Sequence, residues 1–295
     1  MPRKPTFKIR MEEWIEDCDA RMLSRHTVNT YRKALSRVWR FARERGWPMD
    51  PTKITGHHVR DYYESLEDLA TNTQISYMHV LLSFLKFGGN QNLERINLRI
   101  KPARTRVNWL SEGEVGLAIR FAHYPVLKAM LVIMSYTGMR VGELVRLQTK
   151  DLEDQQVTIR GKGRKGRVIP LDKEFWAEMG SYLMLRATME DHPRFLVHKA
   201  GSRMVPYTEG GINWAVKNYG RSLNLHMTPH TLRRSFGRHL YLRGCPLAQL
   251  KELMGHSNVE MTIQYLGIGD SDIQQAISLY RPNYRDVYLS EPIQR

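Results

Sequence analysis

A chain of 295 residues exceeds the usual size of one domain and predicts two. Its 42% hydrophobic content can fill real cores, its mean hydropathy of -0.48 argues against a membrane protein, and two cysteines are too few for a disulfide framework or a cysteine-based zinc site. The formal charge of +15 is spread over both halves, with 19 Lys and Arg against 12 Asp and Glu in residues 1–104 and 26 against 18 in residues 105–295. A polyanion touched by both halves accounts for that distribution, and nucleic acid is the obvious one; an ordinary basic protein is the plain alternative. The longest apolar window, Val126 to Tyr136, is interrupted by Lys128, and MPRKPTFKIR has no signal-peptide core. A cytoplasmic protein with no membrane contact is expected.

Taken in order, residues 1–10 read as disordered and Met11 to Ala20 as a short amphipathic helix. His26 to Arg45 is a clear helix, with Val28, Tyr31, Leu35, Val38, Trp39 and Ala42 at helical spacing. Its other face carries Arg32, Lys33, Arg37, Arg40 and Arg43, which is either a solvated face or a contact with a DNA backbone. Thr55 can cap a third helix through Tyr63, and Thr73 to Phe87 forms a fourth that ends at Gly88-Gly89. Four helices with short connections predict an all-α domain over residues 1–103. The basic, aperiodic stretch Leu98 to Asn108 reads as the interdomain linker, with the domain boundary set at 104–109, and a second domain follows over 110–295.

In that second domain Ser111 and Glu114 form a capping box, opening a helix into Ala122. Pro125 to Tyr136 is apolar on nearly every side and predicts a buried helix whose Met130 and Met134 are core residues. Thr137-Gly138 breaks it, and Met139 to Leu147 resumes as a helix beside Arg140. QVTIR (156–160) and RVIPL (167–171) read as strands around a flexible tip, GKGRKG. Helices are expected from Lys173 to about Met189 and from Tyr207 to Tyr219. Thr228 and Pro229 predict a helix start that stacks His230 and Arg233 on its opening turn. Gly244 ends that helix, Pro246 starts the next, and Gly255 closes it, leaving His256 in a tight turn and Tyr265 near the end of a further short helix. Ser271 can cap a last helix to Tyr280, with Ile273, Ala276, Ile277 and Tyr280 as an apolar stripe.

Several of these residues can carry chemistry. Arg140 and Glu143 lie one turn apart after the most apolar helix of the chain, and can be a surface ion pair or a buried guanidinium with its anionic partner. Lys162 sits in a run of basic residues at the hairpin tip, where no Gly-Lys-Ser/Thr begins a helix, so a Walker phosphate loop is excluded. No carboxylates cluster with histidines at ligand spacing, so no metal and no cofactor are expected. Phosphoryl transfer would then run on arginine, lysine, histidine and tyrosine alone.

The ordered motifs TGMRVGEL, GKGRKGRVIPL, HTLR and LMGHSNVEMTIQYL, spanning residues 110–266, resemble the tyrosine recombinases, the integrase and Xer-type enzymes. The resemblance implies a mainly α fold with a small β-hairpin or sheet, arranged as a two-domain DNA clamp with an N-terminal core-binding domain. It matches Arg140, Lys162, His230, Arg233, His256 and Tyr265 to the catalytic set, and Glu143 to a supporting acid. By that match Tyr265 attacks a backbone phosphate to form a 3′-phosphotyrosyl link, and Arg140 and Arg233 clamp the non-bridging oxygens. Lys162 protonates the leaving 5′-oxygen, His230 takes the tyrosine proton, and His256 donates to the phosphoryl oxygen. Arg164, Lys165, Arg167 and Arg234 are expected to contact DNA, as are Arg32, Lys33, Arg37 and Arg40. The expected partner is double-stranded DNA with a specific recombination site, engaged by a homotetramer on two sites for integration, excision or dimer resolution. The rival readings are a type IB topoisomerase and a non-cleaving DNA-binding regulator.

Overall fold

The computed structural model describes residues 6–92, 107–153, 155–161 and 166–269, together with Asp272 and Gln274. The chain divides into two compact units, Met1–Thr105 and Arg106–Arg295. It is mainly helical, with two small antiparallel sheets. No helix among the described residues is long and apolar enough to cross a membrane.

The first unit holds α1 (Phe7–Ala20), α2 (Arg25–Glu44), α3 (Gly56–Glu64) and α4 (Thr71–Phe87). Helix α2 starts where Ser24 accepts the Thr27 N–H at 3.1 Å, giving a partner to an amide that has none within the helix. Its apolar residues Val28, Leu35, Val38 and Ala42 are buried, and Arg32, Lys33, Arg37 and Arg40 are exposed on the other side. The N-terminus departs from expectation. Residues 7–10 belong to α1 rather than to a disordered leader, because Phe7 is fully buried against Phe84 with ring centroids 4.8 Å apart. The Phe7 N–H also donates to the Met49 carbonyl at 2.6 Å. A single tertiary anchor thus decides a stretch that has no period of its own.

The second unit is built round α6 (Pro125–Thr137), in which Ala129 to Met134 are all buried. It packs against α8 (Lys173–Ala187) and α10 (Pro229–Leu242), and also against α5 (Glu112–Arg120) and α9 (Glu209–Ser222). Emptying one of these core positions, as in Leu131→Ala, would cost about 2–5 kcal/mol. Ser111 and Glu114 form the expected capping box at the start of α5. Between α6 and α8 lie α7 (Val141–Arg146) and a sheet ordered β1-β2-β3. Its strands are β1 (Leu152–Glu153), β2 (Gln156–Arg160) and β3 (Gly166–Pro170), the last two paired from Gln156↔Pro170 to Arg160↔Gly166. The strand expected over 167–171 therefore begins and ends one residue earlier.

A second hairpin, β4 (Val197–Ala200) with β5 (Arg203–Pro206), has no counterpart in the expected elements. Its signal was the two-residue Gly201-Ser202 connection, with Gly201 at φ 62° as such a turn requires. Helix α9 correspondingly begins at Glu209, where Thr208 accepts the Gly211 N–H at 3.0 Å, rather than at Tyr207. The chain closes its described part with α11 (Leu247–Met254) and α12 (Val259–Leu266). The hairpin tip with Lys162, Arg164 and Lys165, most of the expected linker, and all but Asp272 and Gln274 of the helix expected after Ser271 lie outside the described residues.

Candidate active site

The site is assembled from helix ends. Gly138 closes α6 at φ 60°, and a Cβ there would run into the Phe236 ring, so the turn that presents Arg140 needs a glycine. Arg140 is the residue before α7, and its N–H donates to Glu143 Oε2 at 2.9 Å. Thr228 opens α10 by accepting the Thr231 N–H at 3.0 Å with Pro229 as first helical residue, which places His230 and Arg233 on the first turn. Gly255 ends α11 at φ 59° and turns the chain into His256; Pro246 caps α11 rather than joining it. Asn258 caps α12, and Tyr265 is its penultimate residue.

Arg233 lies at the bottom of the site, with only 2% of its surface exposed. Its guanidinium donates to the main-chain carbonyls of Gly138 and Met254, each at the C-terminal end of a helix. Such ends carry unpaired, partly negative carbonyls, so they hold a cation without neutralising it. Burial and the nearby Arg140 pull its pKa down to about 10, which leaves it cationic at neutral pH. Its Nη2 also lies 3.2 Å from His256 Nε2. An arginine offers only donors, so Nε2 must accept and the proton sits on Nδ1, which lies 2.9 Å from the buried Thr262 hydroxyl. Thr262 was not singled out in the sequence; it acts by holding the His256 tautomer. Burial, then Arg233 and Arg140, push the His256 pKa down to about 4. With Nε2 turned to Arg233, His256 is seated against that arginine.

Glu143 is the anionic centre, only 7% exposed. It accepts Arg140 Nη1 at 3.0 Å, and Arg167 Nη1 and Nη2 at 3.1 and 2.8 Å. Burial alone would raise its pKa, yet the Arg167 hydrogen bond and the two guanidinium charges hold it at about 2. Arg167, expected to reach for DNA, is instead turned inward with its side chain only 12% exposed. Arg140 keeps more exposure, 43% of its side chain, and its Nη2 donates to the Gly255 carbonyl at 2.9 Å. The pair is therefore a bridge between α7 and the end of α11 rather than a surface ion pair.

Tyr265 completes the cluster. Its Oη lies 3.0 Å from His230 Nδ1 and 3.2 Å from the His230 carbonyl. The ring meets the His230 and His256 rings edge-on at 5.0 and 5.2 Å. The guanidinium carbons of Arg234 and Arg233 stand 5.2 and 5.8 Å from its centre. Arg234, also expected at DNA, is thus half-buried over the tyrosine. Burial pushes the phenol up to about 12, against the opposing pull of Arg233 and Arg234. Burial and the charges of Arg234, Arg233 and Arg140 push His230 down to about 4. Beside the cluster opens a cavity of about 830 Å³ lined by Arg140, Glu143, Arg167, Gly255, His256 and Lys251 among others. Among the described residues no group of three or more His, Cys, Asp or Glu side chains is placed to hold a metal ion.

Residues 108–271 match the phage integrase family. Tyrosine recombinase XerA of Pyrococcus horikoshii is 31% identical over 203 residues, which cover 68% of this chain and 70% of that protein. Tyrosine recombinase XerC of Thermodesulfovibrio yellowstonii is 24% identical over 275 residues, 87% of this chain and 89% of that protein. The fold is also that of the Tn1549 transposon integrase in complex with transposon right end DNA, with TM-score 0.73, 17% identity, and coverage of 94% of this chain and 100% of that one. XerH site-specific recombinase bound to palindromic difH substrate aligns with TM-score 0.70 and 19% identity over 92% of this chain and 84% of that one. With a match over more than half of its length, and an arginine, histidine and tyrosine cluster at the centre of the matched region, the chain belongs to the phage integrase family: it is a tyrosine recombinase, an enzyme that cuts and rejoins DNA at specific sites.

Proposed function

We propose that Tyr265 is the nucleophile of this recombinase and that Arg140 and Arg233 hold the scissile phosphate. The observation that carries this reading is the Tyr265 hydroxyl seated 3.0 Å from His230 Nδ1, on a ring faced by the guanidiniums of Arg233 and Arg234. Attack of Oη on phosphorus forms the tyrosyl–phosphate bond and breaks the bond to the 5′-oxygen; the tyrosine proton passes to His230 and the leaving oxygen takes one from Lys162. Burial first, and then the positive charge of Arg234, Arg233 and Arg140, hold the His230 pKa down. An arriving phosphate supplies the opposite charge, raises the His230 pKa and turns it into a competent base. A phenol held near 12 needs that base, so the nucleophile stays protonated until substrate is in place.

On a suicide substrate, Tyr265→Phe should bind DNA and give no covalent adduct; an adduct mapped by mass spectrometry to another tyrosine would sink the assignment. Lys162→Ala should cleave a normal phosphodiester roughly two to four orders of magnitude more slowly. It should regain most of that loss when the bridging 5′-oxygen is replaced by sulfur, because a thiolate leaves without a proton. If the sulfur substrate is cleaved just as slowly, Lys162 only binds. The unit Met1–Thr105 is the core-binding half, with Arg32, Lys33, Arg37 and Arg40 on DNA phosphates, and the working assembly is a tetramer on two copies of a specific site in the cytoplasm. Cross-linking on DNA carrying one site and two sites tests the tetramer, which should form only with two.

A further inference from the structure

Three arginines surround one carboxylate in this site. Arg167 meets Glu143 as a two-pronged fork at 3.1 and 2.8 Å, Arg140 shares the same carboxylate at 3.0 Å, and Arg233 Nη1 stands 4.0 Å from Glu143 Oε2. The fork is the geometry in which a guanidinium matches both carboxylate oxygens at once. Arg167 and Glu143 are nearly buried, with 12% and 6% of their side chains exposed, so their attraction is weakly screened. The charges of the four groups leave a surplus of two positive. A phosphodiester carries one negative charge at rest and two in the five-coordinate state, so Arg140 and Arg233 match the transition state only if neither is neutralised by Glu143.

We propose that Arg167 is a positioning residue: as the internal counterion of Glu143 it keeps Arg140 and Arg233 available to the scissile phosphate, and it does not itself bind DNA. Without it, the Glu143 carboxylate would turn to the guanidinium 4.0 Å away and draw Arg233 off the carbonyls of Gly138 and Met254. The proposal rests on the reading of Arg140 and Arg233 as the phosphate clamp. It also accounts for the approach of Arg167 to the α11 turn, where a Cβ on Gly255 would stand 3.1 Å from Arg167 Nη1 and 3.5 Å from Arg140 Nη1.

The test is a double-mutant cycle on single-turnover cleavage at saturating DNA, with thermal melting run alongside. Arg167→Gln should slow cleavage by about 10-fold or more, and adding Glu143→Gln should restore several-fold of that loss, because the carboxylate that misdirects Arg233 is gone. Arg167→Lys, which keeps the charge but not the fork, should fall between wild type and Arg167→Gln, and should likewise gain from Glu143→Gln; it serves if Arg167→Gln fails to fold. A direct phosphate contact predicts the opposite: the double variant at least as slow as Arg167→Gln, and a salt slope of binding lowered by about one. Either result overturns the proposal. If Arg140→Ala and Arg233→Ala cleave at the wild-type rate, the phosphate clamp itself is wrong, an outcome the cycle does not mimic.

Discussion

The two units use arginine in opposite ways. In α2 of the first, Arg32, Arg37 and Arg40 stand exposed on one helix face, and among the described residues none of the three is in an ion pair. In the second, Arg233 and Arg167 are folded inward, seated on carbonyls or a carboxylate contributed by other elements. An exposed arginine keeps its hydration and acts at long range on a polyanion, so its exact rotamer matters little. A buried one is desolvated, and its value depends on donors held within a few tenths of an ångström of where charge develops. The comparison predicts that substitutions in α2 and in the site should separate cleanly into effects on binding and effects on chemistry.

The largest contrast should come from Arg233→Lys, which keeps the charge but cannot reach both carbonyls. Single-turnover cleavage should fall on the order of 10²–10³-fold, with much smaller loss in DNA affinity; a purely affinity-based defect would erase the distinction. A middle effect is expected from acid. In the fold His256 is held near 4, below its ordinary value of about 6.5, so the unfolded chain takes up its proton first. Stability present above pH 6.5 is therefore lost progressively as pH falls toward 4. Glu143, held near 2, extends the loss from about pH 4.5 downward. Melting temperature should drop through this window, and His256→Gln should flatten the upper part of the fall; an unchanged slope would mean that His256 is protonated in the native state. The smallest effect belongs to the exposed face. Arg40→Ala should weaken binding to all DNA sequences alike and lower the salt slope by about one, with stability changed by no more than about 0.5 kcal/mol.

What the sequence made legible follows the same division. Periodicity alone oriented α2, with Leu35 and Val38 inward and Arg32 and Arg40 outward. Caps and glycines placed the ends of α5, α6 and α10, because Ser111, Gly138 and Thr228 act on backbone within one turn. The site itself joins residues far apart in the chain: Arg140 reaches Gly255 across 115 positions, and Arg233 reaches Gly138 across 95. No local pattern encodes such pairs, and it was the order of four motifs that grouped them. What the pattern left out was also non-local. Arg167 lies in a run of basic residues and reads as a loop cation until Glu143, 24 positions earlier, is seen to face it. Phe7 follows the same logic in the first unit, since its partner Phe84 is at the far end of the helical sequence.

Two of the acceptors that seat Arg233 are main-chain oxygens, those of Gly138 and Met254. A main-chain carbonyl persists whatever side chain is attached to it, so no single substitution can delete either one. The mutational vulnerability of this cation is thereby moved from acidic neighbours, which could drift, to the backbone path that aims the carbonyls. That path depends on Gly138, whose left-handed turn lies against the Phe236 ring, far more than on the identity of residue 254. In a lineage of such chains, inactivating changes should therefore accumulate at a residue with no side chain as readily as at the arginine it supports.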